Sequence, residues 1–335
     1  MQQWLNNIWY KGSWGYILLI PLSWVYACLI FLRKKILLHL FWRRTANLCP
    51  IIIIGNITVG GTGKTPLIIW LANYLLAQGV NVAILSRGYG GKSNSLQKVS
   101  KDSDPNIVGD EPVMLAHRVE CPVYVHPKRF KAAKLIAERG ADVLLLDDGL
   151  QHYKLQRDFE IAVIDGERLY GNNKLLPAGP LREPISRLDE VDVCLTQVSV
   201  NDDTSISGNS MKFYLKGEFA YNLCTGDSKS LSYFCDKKVH AIAGTGNPDR
   251  FFDLLENESI NVCRHFFDDH ARYSSADVSF NDNLDVLMTE KDMVKCQKFA
   301  NKKLWYVPVD LVFIDKQLDW LKSIDQLITT RKKNE

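Results

Sequence analysis

The residues that first suggest chemistry are Gly60-Gly61-Thr62-Gly63-Lys64-Thr65, which follow the apolar run Ile51–Ile54 and precede a helical pattern. A phosphate group needs several backbone N–H groups converging on it. Glycines let the backbone come close, and a helix N-terminus adds favourable partial charge. Lys64 stands where a lysine reaches the β- and γ-phosphates, and the Thr65 hydroxyl suits Mg2+. The nucleotide-binding stretch is therefore Thr58, Val59, Gly60, Gly61, Thr62, Gly63, Lys64 and Thr65. The common pattern has a glycine five residues before Gly63, where this chain has Thr58. Strand, glycine turn, Gly-Lys-Thr and helix still occur in the required order.

A second signal is Val143–Leu146 followed by Asp147-Asp148-Gly149. An acidic residue at the end of an apolar strand is where proteins with such a loop hold Mg2+, directly or through water. Asp110-Glu111 opens a helical segment after Gly109, which on residue types alone reads as a helix cap. Asp268-Asp269-His270, with His265 nearby, brings two histidines and two carboxylates together. The spacing matches no strong metal-ligand pattern, so a solvated loop is the plainer reading. Ser86-Arg87-Gly88-Tyr89-Gly90-Gly91 is a glycine-rich loop at a strand end that could border the nucleotide or its acceptor. Gly179–Pro184 is a rigid, charged turn without an evident purpose.

The elements that must position these residues follow from periodicity. Strands are expected at Ile51–Ile54, Val80–Ser86, Pro122–Val125, Val143–Leu146, Phe159–Asp165 and Val191–Thr196. Helices are expected at Pro66–Gln78, Asp110–Arg118 and Lys128–Arg139. Near-continuous apolar strands alternating with helices indicate an α/β fold with a mostly parallel sheet covered on both faces. Ligands bind such sheets at the C-terminal strand ends, where most of these motifs fall. Residues 201–210 are polar and read as a loop or linker, and Met211–Leu223 reads as an antiparallel strand pair. A second α/β run follows, with strands at Val239–Ala243, Asn261–His265, Leu284–Met288 and Leu304–Val307 and helices near Pro248–Glu256 and Glu290–Gln297. The expected organisation is a membrane-anchoring segment (1–45), a P-loop NTPase-like domain (46–205), a β-rich linker (206–238) and a smaller C-terminal α/β domain (239–335).

The 335 residues are 46% apolar and 24% charged, a globular composition with room for two domains. A net charge of only +3 argues against a bulk nucleic-acid binder. The eight cysteines form no C-x-x-C pair, which argues against a zinc ribbon or redox dithiol, and free thiols fit a reducing cytoplasm. From Trp14 to Leu32 there is no charged residue, and Arg33, Lys34, Lys35, Arg43 and Arg44 follow. That length suits a helix crossing about 30 Å of hydrocarbon, and the basic cluster places the rest of the chain in the cytoplasm. A signal peptide would carry its basic cluster on the other side. An interfacial helix remains the alternative, because Pro21 would kink a spanning one.

Taken together, the motifs resemble one family, the tetraacyldisaccharide 4′-kinases of lipid A biosynthesis. The resemblance rests on Gly55–Pro66, Leu85–Gly90, Val108–Pro112, Asp147–His152, Leu176–Glu183, Asp269-His270 and Met288–Asp292, in family order over nearly the whole chain. Thr58 in place of glycine is a trait of that family. The resemblance implies transfer of the ATP γ-phosphate to the 4′-hydroxyl of an acylated glucosamine disaccharide 1-phosphate at the inner membrane. It implies that Lys64 holds the phosphates, and that Thr65 and Asp147 serve Mg2+ with Asp148 and Glu183 nearby. It further implies that Asp110 is the base taking the hydroxyl proton, tuned by His270 from the second domain. The implied partners are the lipid A disaccharide precursor and the inner membrane, with no nucleic acid and no obligate protein partner. The runner-up is a membrane-associated P-loop ATPase switch of the partitioning or positioning type, but its signature lysine before the glycine pair is here Val59. A GTP-dependent metallochaperone would need Asn-Lys-x-Asp, which Thr289-Glu290-Lys291-Asp292 matches only in part.

Overall fold

The computed structural model describes residues 2–40, 48–91, 95–199, 210–315 and 317–332. Arg43, Arg44 and the polar stretch 201–209 lie outside the described residues. In chain order the elements are α1 (Gln2–Tyr10), α2 (Ile20–Leu40), β1 (Ile51–Gly55), α3 (Lys64–Ala77), β2 (Val82–Ser86), β3 (Gln97–Val99), α4 (Pro105–Val108), α5 (Asp110–Arg118), β4 (Val123–Val125) and α6 (Arg129–Ala137). Next come β5 (Val143–Asp147), β6 (Phe159–Asp165), β7 (Val193–Gln197), β8 (Met211–Lys216), β9 (Phe219–Asn222), β10 (Ser228–Ser230), β11 (Lys238–Ala243) and α7 (Asp249–Asn257). The chain continues with β12 (Asn261–Phe266), β13 (Val286–Thr289), α8 (Glu290–Cys296), β14 (Leu304–Val307), β15 (Asp310–Phe313) and α9 (Asp319–Lys332).

The chain forms two compact units, each discontinuous in sequence: Met1–Arg87 with Lys128–Tyr214 and Phe313–Glu335, and Gly88–Pro127 with Leu215–Val312. The contiguous division expected from composition differs from this, because no shift in composition marks where Gly88–Pro127 leaves the first unit. The loop Gly88–Gly91 and α5, with Asp110, belong with the C-terminal residues.

In the first unit β2, β5, β1, β6, β7 and β8 pair in that order, every pairing parallel. Parallel strands covered on both faces need side chains that are apolar throughout. Ile51–Ile54 and Leu144–Leu146 are accordingly buried without alternation. Each such side chain contributes roughly 1.5–3 kcal/mol on leaving water. β1 and β5 lie side by side, so the phosphate loop after β1 and Asp147-Asp148 after β5 emerge at one sheet edge.

In the second unit β12, β11, β13 and β14 pair parallel, and β9 and β10 add antiparallel beyond β14. Phe234, Phe252, Ala241 and Leu287 anchor its core. The expected pairing within Met211–Leu223 is not formed. β8 joins β7 in the first unit, while β9 joins β14 and β10 in the second. Alternation marks a strand with one exposed face but does not name its partner.

Near the N-terminus a short 3-10 turn (Trp14–Leu19) runs into α2. Pro21 sits in the first turn of α2, directly after the 3-10 turn, where its missing N–H removes no hydrogen bond of α2 itself. Residues Trp14–Leu37 are long and apolar enough to cross a membrane, with mean hydropathy 2.1.

Candidate active site

The loop between β1 and α3 depends on glycine at one place above all. Gly63 has φ +83°, which strains any other residue, and a Cβ there would lie 2.6 Å from the Gln197 side-chain oxygen, so Gln197 would also have to move. Helix α3 begins at the next residue, Lys64. Thr58, which breaks the usual glycine pattern, is buried and forms an antiparallel bridge with Leu181. The Val59 N–H donates to the Pro180 carbonyl at 2.9 Å, and the Arg182 N–H donates to the Ile57 carbonyl at 2.7 Å. Thr58 is thus extended backbone, for which a β-branched residue is well suited. The charged turn Gly179–Glu183 is the strip that holds the phosphate loop.

Lys64 extends to Asn56, whose side-chain oxygen accepts from Nζ at 3.2 Å, and lies 3.9 Å from the Asp148 carboxylate. Asp147 accepts from the Ser86 hydroxyl at 2.9 Å. The Arg129 guanidinium donates to the backbone carbonyls of both Asp147 and Asp148, fixing the strand end. Asp148 has φ +49°, so its side chain diverges from the strand direction, and Arg182 donates to it at 3.0 Å. Burial pushes the Asp148 carboxyl up, but Lys64, Arg182 and Arg129 together hold it below the ordinary carboxylate range.

Glu183, expected near the metal, is buried and accepts from the Tyr153 hydroxyl. Arg187 lies 3.7 Å from its other oxygen, Oε2, which makes no hydrogen bond. Among the described residues no three His, Cys, Asp or Glu side chains form a group able to hold a metal ion. Mg2+ is usually held by one or two carboxylates plus substrate phosphates and water rather than by a protein cage. Thr65 at the start of α3 and Asp147 at the end of β5 therefore fit such an ion.

The second unit places another cluster. Gly109, at φ +94°, packs so closely on Tyr89 and Gly88 that a Cβ would meet the Tyr89 carbonyl oxygen at 2.8 Å. This contact sets the start of α5 and the direction of Asp110. The Asp110 carboxylate is buried, and both oxygens face His270 Nδ1, at 3.1 and 3.0 Å. Tyr89 packs against the His270 ring with centroids 5.2 Å apart. Burial alone would raise the Asp110 carboxyl, but the hydrogen bond from His270 and the charges of Lys291 and Lys295 hold it below its usual range. The bond to Asp110 raises His270 above an ordinary imidazole, against burial and Lys291. His265, read beside His270 in sequence, bonds instead to His240 at 2.9 Å.

Lys64, Asp147 and Asp148 thus gather in the first unit with Glu183 held by Tyr153, while Asp110 and His270 pair in the second. Asn56, Ser86, Arg129 and Lys291 carried no assigned role in the sequence. The partners of Ser86, Arg129 and Lys291 are distant in the chain, whereas Asn56 stands only 8 residues before Lys64, and only the strand-end position of Ser86 hinted at its use. Thr289–Asp292 is a structural cap and not a guanine reader. Thr289 caps α8 by accepting from the Asp292 N–H, and the fully buried Asp292 carboxylate accepts from Tyr273 and from the Gly244 N–H.

Comparison with known proteins yields one family. The profile described as tetraacyldisaccharide-1-P 4′-kinase matches residues 15–329. This chain belongs to that family. Among its relatives, the tetraacyldisaccharide 4′-kinase of Nitrosococcus oceani is 44% identical over 90% of this chain and 88% of its own. That of Ectopseudomonas mendocina is 42% identical over 97% of each. The solved structure of LpxK from Aquifex aeolicus in complex with ATP superposes with a TM-score of 0.77 at 28% identity, covering 93% of this chain and 99% of that one. The α/β fold and the N-terminal apolar helix therefore lie within the family's architecture.

Proposed function

We infer that the protein transfers the γ-phosphate of ATP to the 4′-hydroxyl of a tetraacyl glucosamine disaccharide 1-phosphate, a step of lipid A biosynthesis. Membership of the kinase family supports the reaction. The pairing of Asp110 with His270 carries the assignment of roles, because a hydroxyl acceptor needs a base and a hydrolytic switch has no such acceptor. In this reading the loop Thr58–Thr65 and Lys64 hold the ATP phosphates. Thr65 and Asp147, with Asp148 and Glu183 as further acidic groups, would hold Mg2+, which would neutralise phosphate charge. Asp110 accepts the proton of the 4′-hydroxyl as its oxygen attacks phosphorus. His270 donates from Nδ1 to the same carboxylate, orienting it and keeping it ionised until the proton arrives. The partitioning-type ATPase switch receives no support from the relatives.

The apolar helix supports attachment to the inner membrane, with both units on the cytoplasmic side. Its exposed residues Leu18, Leu22, Val25, Leu29, Leu32 and Ile36 fall on one helical stripe. Another face is tied to the first unit: the Ser23 hydroxyl donates to the Leu175 carbonyl at 2.8 Å, and Lys34 pairs with Glu190 at 2.6 Å. A helix bonded to the globular body over this length is suited to lie in the interface, with the stripe in the acyl region. The acceptor lipid then meets the enzyme in two dimensions.

Two measurements test the reading. Labelled γ-phosphate from Mg-ATP should appear in the lipid disaccharide in detergent. ATP hydrolysis that never labels this acceptor would sink the assignment. Replacing Leu18 and Leu22 by Asp should release the protein from vesicles in flotation. Unchanged retention would show that other surfaces hold the membrane.

A further inference from the structure

The second unit contains a lysine that the reaction does not require for contact with either substrate. Lys291 lies in the first turn of α8. Its Nζ bonds Glu111 at 2.9 Å and Asp269 at 2.9 Å, with 13% of its side chain exposed. These two carboxylates are the chain neighbours of the proposed base pair: Glu111 follows Asp110, and Asp269 precedes His270. Adjacent residues on a helix point in different directions. Asp110 therefore faces His270 while Glu111 faces Lys291, and the two interactions form parallel links between α5 and the loop carrying His270.

We propose that Lys291 is a positioning residue for the Asp110–His270 pair, bridging Glu111 and Asp269 so that α5 and the histidine loop are held at the separation the pair needs. This rests on the reading of Asp110 as the base. Three further observations support it. First, His270 has φ +60°, a left-handed conformation that a histidine adopts at a cost and keeps only when its surroundings hold it. Second, burying an ammonium with two carboxylates gains little stability over apolar packing, so such a bridge is better explained by the geometry it fixes. Third, Lys295, one turn along the same helix, lies 4.0 Å from Asp110 and is occupied by Asp292 at 2.8 Å. The groups facing Asp110 within this unit are thus His270, Lys291 and Lys295. Lys291 is the one of the two lysines tied to both segments.

The test compares Lys291→Met and Lys291→Arg in the full-length enzyme, with thermal melts to confirm folding. The Met variant should lower kcat on the order of 30- to 100-fold, as expected for a base displaced by about an ångström, while the KM for ATP stays within about twofold. Loss of the nearby positive charge should also move the acid limb of the kcat profile to higher pH. Lys291→Arg should restore most of that limb's position. A Met variant that melts normally but keeps its kcat overturns the proposal, and so does a loss of kcat with an unmoved acid limb. A second readout needs no substrate: the hydrogen-bonded Nδ1 proton of His270, seen by NMR with labelled histidine, should weaken or vanish in the Met variant. If that proton persists unchanged, Lys291 does not position the pair. If it is lost while even the wild type fails to phosphorylate the lipid, the positioning stands and the assigned reaction falls.

Discussion

Lys64 and Lys291 are almost equally shielded, with 14% and 13% of their side chains exposed, yet their surroundings differ. Lys64 has one neutral amide at 3.2 Å and a carboxylate at 3.9 Å, a loose set that leaves donors for an incoming anion. Lys291 has two carboxylates at 2.9 Å, a closed set that suits a structural tie. The same contrast separates the two units. The phosphate side is a continuous loop on a parallel sheet, held largely by backbone bonds. The base side is an assembly of ion pairs from three distant segments. The lysine proposed to hold phosphate is left underused by the protein, and the lysine proposed to position the base is saturated by it.

Substitutions can break or sharpen this contrast. The largest effect is expected for Lys64→Ala, which should lower phosphoryl transfer about a thousandfold or more, as loss of a preorganised charge at the transferring group does. Its melting temperature should barely move, since Lys64 makes no close ion pair. A strongly destabilised Lys64→Ala protein would erase the distinction between the two lysines. Asp110→Ala should follow, with turnover down on the order of 10²–10⁴-fold and ATP affinity retained. Near-normal turnover would remove Asp110 from the base role. His270→Ala should cost less than Asp110→Ala but no less than Lys291→Met, about a hundredfold. Because the His270 bond lowers the Asp110 carboxyl, its loss lets that carboxyl rise, so activity should fade at higher pH on the acid side than in the wild type. An acid limb that stays put would show that His270 does not tune Asp110. The smallest effect is expected for Tyr26→Phe, which removes a hydrogen bond worth about 1 kcal/mol and should change turnover only a few-fold at saturating lipid.

Much of the phosphate side was legible in the sequence because its chemistry is local. Ile51–Ile54, the glycines and Lys64-Thr65 are consecutive, and burial on both sheet faces wrote β5 as an unbroken apolar run ending in Asp147. Thr58 looked like a defect because its partner, Leu181, is remote in the chain. The base side was opaque for the same reason. On residue types alone Asp110 read as a helix cap and His270 as part of a solvated loop; only the family resemblance paired them, and nothing near Lys291 reveals that Glu111 and Asp269 are its partners. The exchange of Gly88–Pro127 into the second unit was also hidden, since crossing from one core to another leaves no trace in composition.

The apolar N-terminal helix also reaches toward the phosphate loop. Tyr26 donates to the Arg182 carbonyl at 3.0 Å, the Arg182 side chain holds Asp148 at 3.0 Å, and Asp148 lies 3.9 Å from Lys64. Three contacts therefore run from the apolar helix through Arg182 and Asp148 to Lys64. Arg182 takes part at both ends, its backbone carbonyl accepting from the helix and its side chain holding the acidic neighbour of the loop. A substitution in the helix can thus be felt at Lys64 without touching the loop itself.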